Sequence, residues 1–93
     1  MTILEEVKSV LRISSNIFDD GEIVPLIDAC KTDLKISGIT KIDETNALVR
    51  RAICLYCKGN FGYSEDGTRF SEAYKALRDS MSLSGFYTGD TDE

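Results

Sequence analysis

The chain has 93 residues and a net charge of −5, with 16 acids against 11 Lys and Arg, no histidine, no tryptophan and three cysteines. A domain of this length buries only roughly 60 to 70% of the surface its unfolded chain exposes, so its stability margin is thin and a disulfide, a metal or a neighbouring subunit would widen it. The missing histidine removes the commonest general base and metal ligand together, the odd cysteine count argues against a disulfide framework, and the acidic balance repels polyanions over a Debye length of ~8 to 10 Å.

The first segment, Thr2 to Leu11, carries Ile3, Val7, Val10 and Leu11 at helical spacing, with Thr2 as N-cap and Glu5 three residues on, the pattern of a capping box. Glu5, Glu6, Lys8 and Arg12 interrupt this region, so it is not expected to act as a signal peptide, and a reducing, cytoplasmic origin follows. Ser14, Ser15 and Asn16 compete for backbone hydrogen bonds and should end the helix near Arg12 or Ile13. Asp19 or Asp20 is then placed to cap a second helix, which tolerates Pro25 in its first turn and runs to about Ile36. Ile23, Ile27, Cys30 and Leu34 draw its apolar stripe, and Ser37-Gly38 supplies the stop.

After the linker Ile39 to Ile42, Asp43 is the expected cap of a third helix from Glu44 to about Asn60. Leu48, Val49, Ala52, Ile53, Leu55, Tyr56 and Cys57 spread over more than one face, which makes this the central helix, with Ile53 ranked as its most buried residue. The most apolar stretch, Ala52 to Cys57, stops at Lys58, well short of the ~18 residues a membrane span needs. A polar, glycine-punctuated loop covers Asn60 to Arg69. Phe70, Ala73, Tyr74, Leu77 and Met81 mark a fourth helix capped by Thr68 and reaching about Leu83. The expected fold is an all-α bundle of about four helices over residues 1–84, with a long central third helix and a flexible acidic tail over 85–93.

Cys54-Leu55-Tyr56-Cys57 has C-x-x-C spacing, yet it lies late in a helix, where the dipole does not favour thiolate. Three cysteines without histidine also fall short of the four ligands of a structural zinc site, so these cysteines read as small apolar residues. The Gly59 to Tyr63 stretch lacks the strand, helix start and Lys-Ser/Thr pair of a phosphate loop, and the acidic runs lack calcium-loop spacing. No catalytic, cofactor-binding or metal-binding residue is assigned. Arg50 and Arg51 point about 100° apart on a helix, so at least one reaches the surface, either solvated or paired with an acidic group on a neighbouring subunit. Tyr63, Phe86 and Tyr87 fall in loop and tail, where they pack either over their own domain or on an adjacent subunit. The candidate subunit-interface residues are therefore Arg50, Arg51, Tyr63, Phe86 and Tyr87.

Several stretches together resemble the head-tail connector proteins of tailed bacteriophages and prophages, often labelled DNA-packaging proteins. They are Leu4 to Lys8 with Leu11-Arg12-Ile13, Ile27 to Leu34, Arg51 to Lys58 with Phe61-Gly62-Tyr63, and Phe70, Tyr74 and Leu77 with Leu83 to Tyr87. The similarity runs from about Thr2 to Tyr87. It implies an all-helical subunit without catalytic or cofactor residues, forming a ring beneath the portal of a DNA-filled capsid and docking a downstream head-tail joining or tail protein. DNA would pass through the channel without sequence-specific binding. The chain would be assembled in the bacterial host cytoplasm, with no membrane partner, and end in the virion. The packaging label does not extend to a motor, because no nucleotide-binding loop is present. Two other readings remain open on the residues alone: a small helical phage regulatory or adaptor protein, and a helix-turn-helix DNA binder, which the acidic charge disfavours.

Overall fold

A computed structural model describes residues 1–62 and 66–89 and is all-helical over them, with helices α1 (Ile3–Leu11), α2 (Val24–Ile36), α3 (Ala47–Asn60), α4 (Gly67–Ser82) and α5 (Gly85–Thr88). The capping box forms as expected: the Glu5 amide donates to Thr2 Oγ1 at 3.1 Å, and the Thr2 amide donates to Glu5 Oε1 at 2.8 Å. At the other end of α1, Arg12 adopts a left-handed conformation with φ 59°, and the Arg12 and Ile13 amides reach back to Ser9 and Lys8. That closes the helix in a Schellman-type turn at a position usually given to glycine.

The start of α2 differs from the expectation that Asp19 or Asp20 caps it. Asp19–Ile23 forms a π-helical turn, and neither this turn nor α2 has a side-chain cap. Asp19 instead takes an ion pair from Lys8, whose Nζ also donates to Asn16 Oδ1 at 2.6 Å. The Ile23 and Val24 amides bond five residues back, to Phe18 and Asp19. Pro25 has no amide to continue the wider pattern, so the chain passes into α2 there. The predicted stripe is intact, with Ile23, Ile27, Cys30 and Leu34 all buried. Gly38, at φ 93°, then turns the chain so that Ile39 enters the core.

The third helix begins three residues later than expected. Asp43 caps a preceding turn by accepting from the Thr45 amide at 2.9 Å, and Asn46 is the true N-cap, accepting from the amides of Leu48 and Val49. Both side chains are good caps, and periodicity does not choose between two capping residues three apart. α3 lies at the centre, with Val49, Ala52, Ile53, Cys54, Leu55 and Cys57 buried against residues of α1, α2, α4 and α5.

Glycines decide how α4 meets α3. A Cβ on Gly59 would stand 2.5 Å from Ser71 Oγ and 3.1 Å from the Ser71 amide nitrogen, so the two helices approach at a distance only glycine allows. The helix starts at Gly67, which places Thr68 inside the first turn and not at the cap. Tyr74 and Met81 are buried, while Ala73 is exposed. A polar clasp joins α4 to α2: the Tyr74 hydroxyl donates to Asp33 Oδ2 at 2.6 Å and Arg78 Nη1 donates to the same oxygen at 3.0 Å.

Regular structure continues past Ser84, where periodicity placed the start of the tail. Gly85–Thr88 forms α5, Tyr87 is buried, and its carbonyl accepts from the amides of Thr40 at 2.8 Å and Lys41 at 3.0 Å. A single helical turn is too short to show an apolar period. Residues 90–93 of the expected tail lie outside the described residues.

Candidate subunit interface

The capping and packing just described set where each candidate interface residue stands. Arg50 is one turn into α3, and its guanidinium is engaged within the chain: Nε pairs with the Glu6 carboxylate, Nη1 donates to the Glu44 carbonyl at 2.7 Å and Nη2 to the Met1 carbonyl at 3.1 Å. It ties the start of α1 and the turn before α3 to the central helix. Arg51, the next residue, is exposed. The separation anticipated for consecutive helical residues thus sorts one arginine into the fold and one onto the surface.

Phe86 and Tyr87 share α5 but differ in the same way. Tyr87 is buried, and its hydroxyl donates to Asn46 Oδ1 at 3.1 Å, the atom that caps α3. Phe86 is 54% exposed, packs edge to face on Tyr87 with centroids 4.9 Å apart, and has Lys41 Nζ 5.0 Å from its ring centroid. Arg50, Arg51, Phe86 and Tyr87 are therefore all tied to the N-terminal half of α3. Of these, Arg51 and Phe86 are exposed, whereas Arg50 and Tyr87 are engaged within the chain. Tyr63 lies outside the described residues.

A second apolar surface, not anticipated from the sequence, lies at the C-terminal end of α3. Phe18 and Phe61 meet edge to face at 5.7 Å, and a groove of about 310 Å³ is lined by Glu22, Pro25, Leu26, Asn60, Phe61 and Gly62. Ile17 beside Phe18 is 77% exposed. The available signal was an Ile-Phe pair inside a Ser/Asn/Asp loop, apolar residues with no helical stripe to join. Ile36 and Leu83, at the ends of α2 and α4, are also exposed.

The interior offers little chemistry to a ligand. Cys30, Cys54 and Cys57 are free and buried, and burial pushes the thiols of Cys30 and Cys57 up to about 12 and that of Cys54 to about 11. The weight of thiol over thiolate makes them apolar filling. Burial also drives the Tyr74 phenol well above its usual range, reinforced by its bond to Asp33, so it stays a donor in the α2–α4 clasp. Among the described residues no group of three or more Cys, Asp or Glu side chains is placed to hold a metal ion, and no helix is long and apolar enough to cross a membrane.

What remains is a small helical body whose distinctive features are exposed apolar surfaces at the two ends of its central helix. No curated protein and no solved structure matches the chain. Residues 3–86 match the sequence model of a family described as phage connector protein, a structural family, and this match runs from the start of α1 into the first residues of α5. The chain belongs to the phage connector protein family.

Proposed function

We propose that the chain is a structural subunit of the head-tail junction of a tailed phage, forming a ring beneath the portal that extends the DNA channel and presents a docking surface to the next head-tail joining or tail protein. The observation that carries this reading is the family match over residues 3–86. The chemistry of the chain supports it. The described core buries no charged or polar residue, and the reactive groups inside it are held in their neutral forms, so the working surfaces lie outside. The net charge of −5 disfavours tight adhesion of DNA, which has to slide through such a channel. Arg51 and Phe86 are the residues proposed to meet a neighbouring subunit, with Arg50 and Tyr87 holding them in place.

Deleting the reading frame from its phage or prophage tests the proposal. The expected result is an accumulation of DNA-filled heads and separate tails, with complementation by the wild-type chain restoring joined particles. Normal virions after deletion would overturn the junction role. Altered host gene expression with intact particles would favour the adaptor reading instead.

A further inference from the structure

Large apolar side chains are left exposed at both ends of the bundle. Asp33 and Arg78, paired at 3.0 Å, hold the last turns of α2 and α4 side by side, and the Tyr87 carbonyl ties α5 to the Thr40 and Lys41 amides just beyond α2. Ile36 at 79% exposure, Leu83 at 89% and Phe86 therefore share one end of the molecule. The other end carries Ile17 and Phe18, the latter seated on Phe61 just past α3. Because the Tyr87 hydroxyl reaches Asn46, the cap of α3, the 14 residues of that helix hold the two surfaces about 20 Å apart, and neither covers the other within one chain. Their charges also differ. Lys35 adjoins Ile36, whereas Asp20 and Glu22 follow Phe18, and all three are exposed and take part in no ion pair among the described residues.

We propose that the Ile17-Phe18 turn of one copy packs on Ile36, Leu83 and Phe86 of the next copy, with Asp20 and Glu22 set against Lys35. Exposed apolar side chains bordered by charge are the anatomy of a protein contact. Joining either end to its own kind would bring Lys35 against Lys35, or Asp20 and Glu22 against themselves, whereas joining unlike ends places opposite charges together. The contact is head to tail, so each subunit added leaves one surface of each kind open, and the series ends only when it closes on itself. The inference rests on the ring reading above and deepens it by naming what meets Phe86.

Sedimentation velocity of the full-length chain, with circular dichroism to check folding, tests the pairing by mixing. Ile17→Glu and Leu83→Glu each disable one surface at an exposed position, so each variant alone should stay folded and weaken self-association by about tenfold or more. An equimolar mixture near millimolar concentration should form dimers and stop there, because the intact end of one variant meets the intact end of the other. Lys35→Glu should weaken association of the otherwise wild-type chain by about tenfold as like charges meet, and it reports on the same surface if Leu83→Glu disturbs the fold. If the wild type associates and these variants associate as tightly, or the mixture stays monomeric, this pairing is wrong while the ring reading stands. A wild-type chain that remains monomeric at millimolar concentration overturns both.

Discussion

Replacing Arg50 by alanine removes a guanidinium that pairs with Glu6 and donates to the carbonyls of Glu44 and Met1, at a side chain only 17% exposed. A hydrogen bond involving a charged group contributes roughly 1.5 to 3 kcal/mol when buried, and partial solvent access lowers this toward the surface-pair value of about 1 kcal/mol. The carbonyls of Glu44, Met1 and Thr2 and the Glu6 carboxylate lose this donor together, so a destabilisation of about 2 to 3 kcal/mol is expected. For a domain of this size that corresponds to a fall in Tm of about 10 to 20 °C. Arg51→Ala, one residue on and exposed, should stay within about 0.5 kcal/mol of wild type. Urea and thermal unfolding followed by circular dichroism measure both, and a double-mutant cycle with Glu6→Ala should return a coupling of about 1 kcal/mol or more. Equal effects at Arg50 and Arg51, or a loss below about 0.5 kcal/mol at Arg50, would refute the assignment of Arg50 to the fold.

The remaining predictions concern the interior. Gly59→Ala brings a Cβ to 3.1 Å from the Ser71 backbone nitrogen, so despite the ~1 kcal/mol gain in helix propensity it should destabilise by about 1 kcal/mol or more, whereas Gly21→Ala meets nothing and should be near neutral in the same urea titration. Cys30, Cys54 and Cys57 should resist an aromatic disulfide reagent at pH 8 in the native protein and all react in guanidinium, because burial raises each thiol pKa; rapid native reaction would contradict their placement. Burial acts to raise the Asp33 carboxyl, but the Tyr74 and Arg78 hydrogen bonds outweigh it and hold the group below its usual range. A depressed carboxylate stabilises the fold above its unfolded pKa of about 3.9, and that contribution is lost as the pH falls through the folded value. Stability should therefore decline below about pH 4, and less steeply in Asp33→Asn, with Glu5 and Asp43 supplying the residual slope.

Long apolar periods made the bundle legible in the sequence, and short-range choices hid its details. The stripe Ile23, Ile27, Cys30, Leu34 identified α2 and its inward face, and Thr2 with Glu5 identified the start of α1, because each signal repeats or reciprocates within one element. The π-helical turn before α2 did not announce itself, since it depends on where Lys8 draws Asp19 and on the amide that Pro25 lacks. The choice of Asn46 over Asp43 as cap is in part tertiary, because Asn46 also receives the Tyr87 hydroxyl from across the fold. For the interface, adjacency in sequence was misleading in a simple way. Arg50 with Arg51, and Phe86 with Tyr87, each pair an inward residue with an outward one, which the roughly 100° step between neighbours on a helix allows. The groove beside Phe61 was invisible because its walls come from the start of α2 with the turn before it and from the end of α3 with the residues after it.

Ring assembly on a portal is the role proposed for this small acidic chain. Negative-stain electron microscopy of the purified chain mixed with portal assemblies tests it most directly. Annular particles are expected in which an extra layer of density, coaxial with the portal, accompanies the wild-type chain and is lost with Phe86→Ala. Bare portals beside a monomeric chain, at concentrations where both proteins are folded, would contradict it.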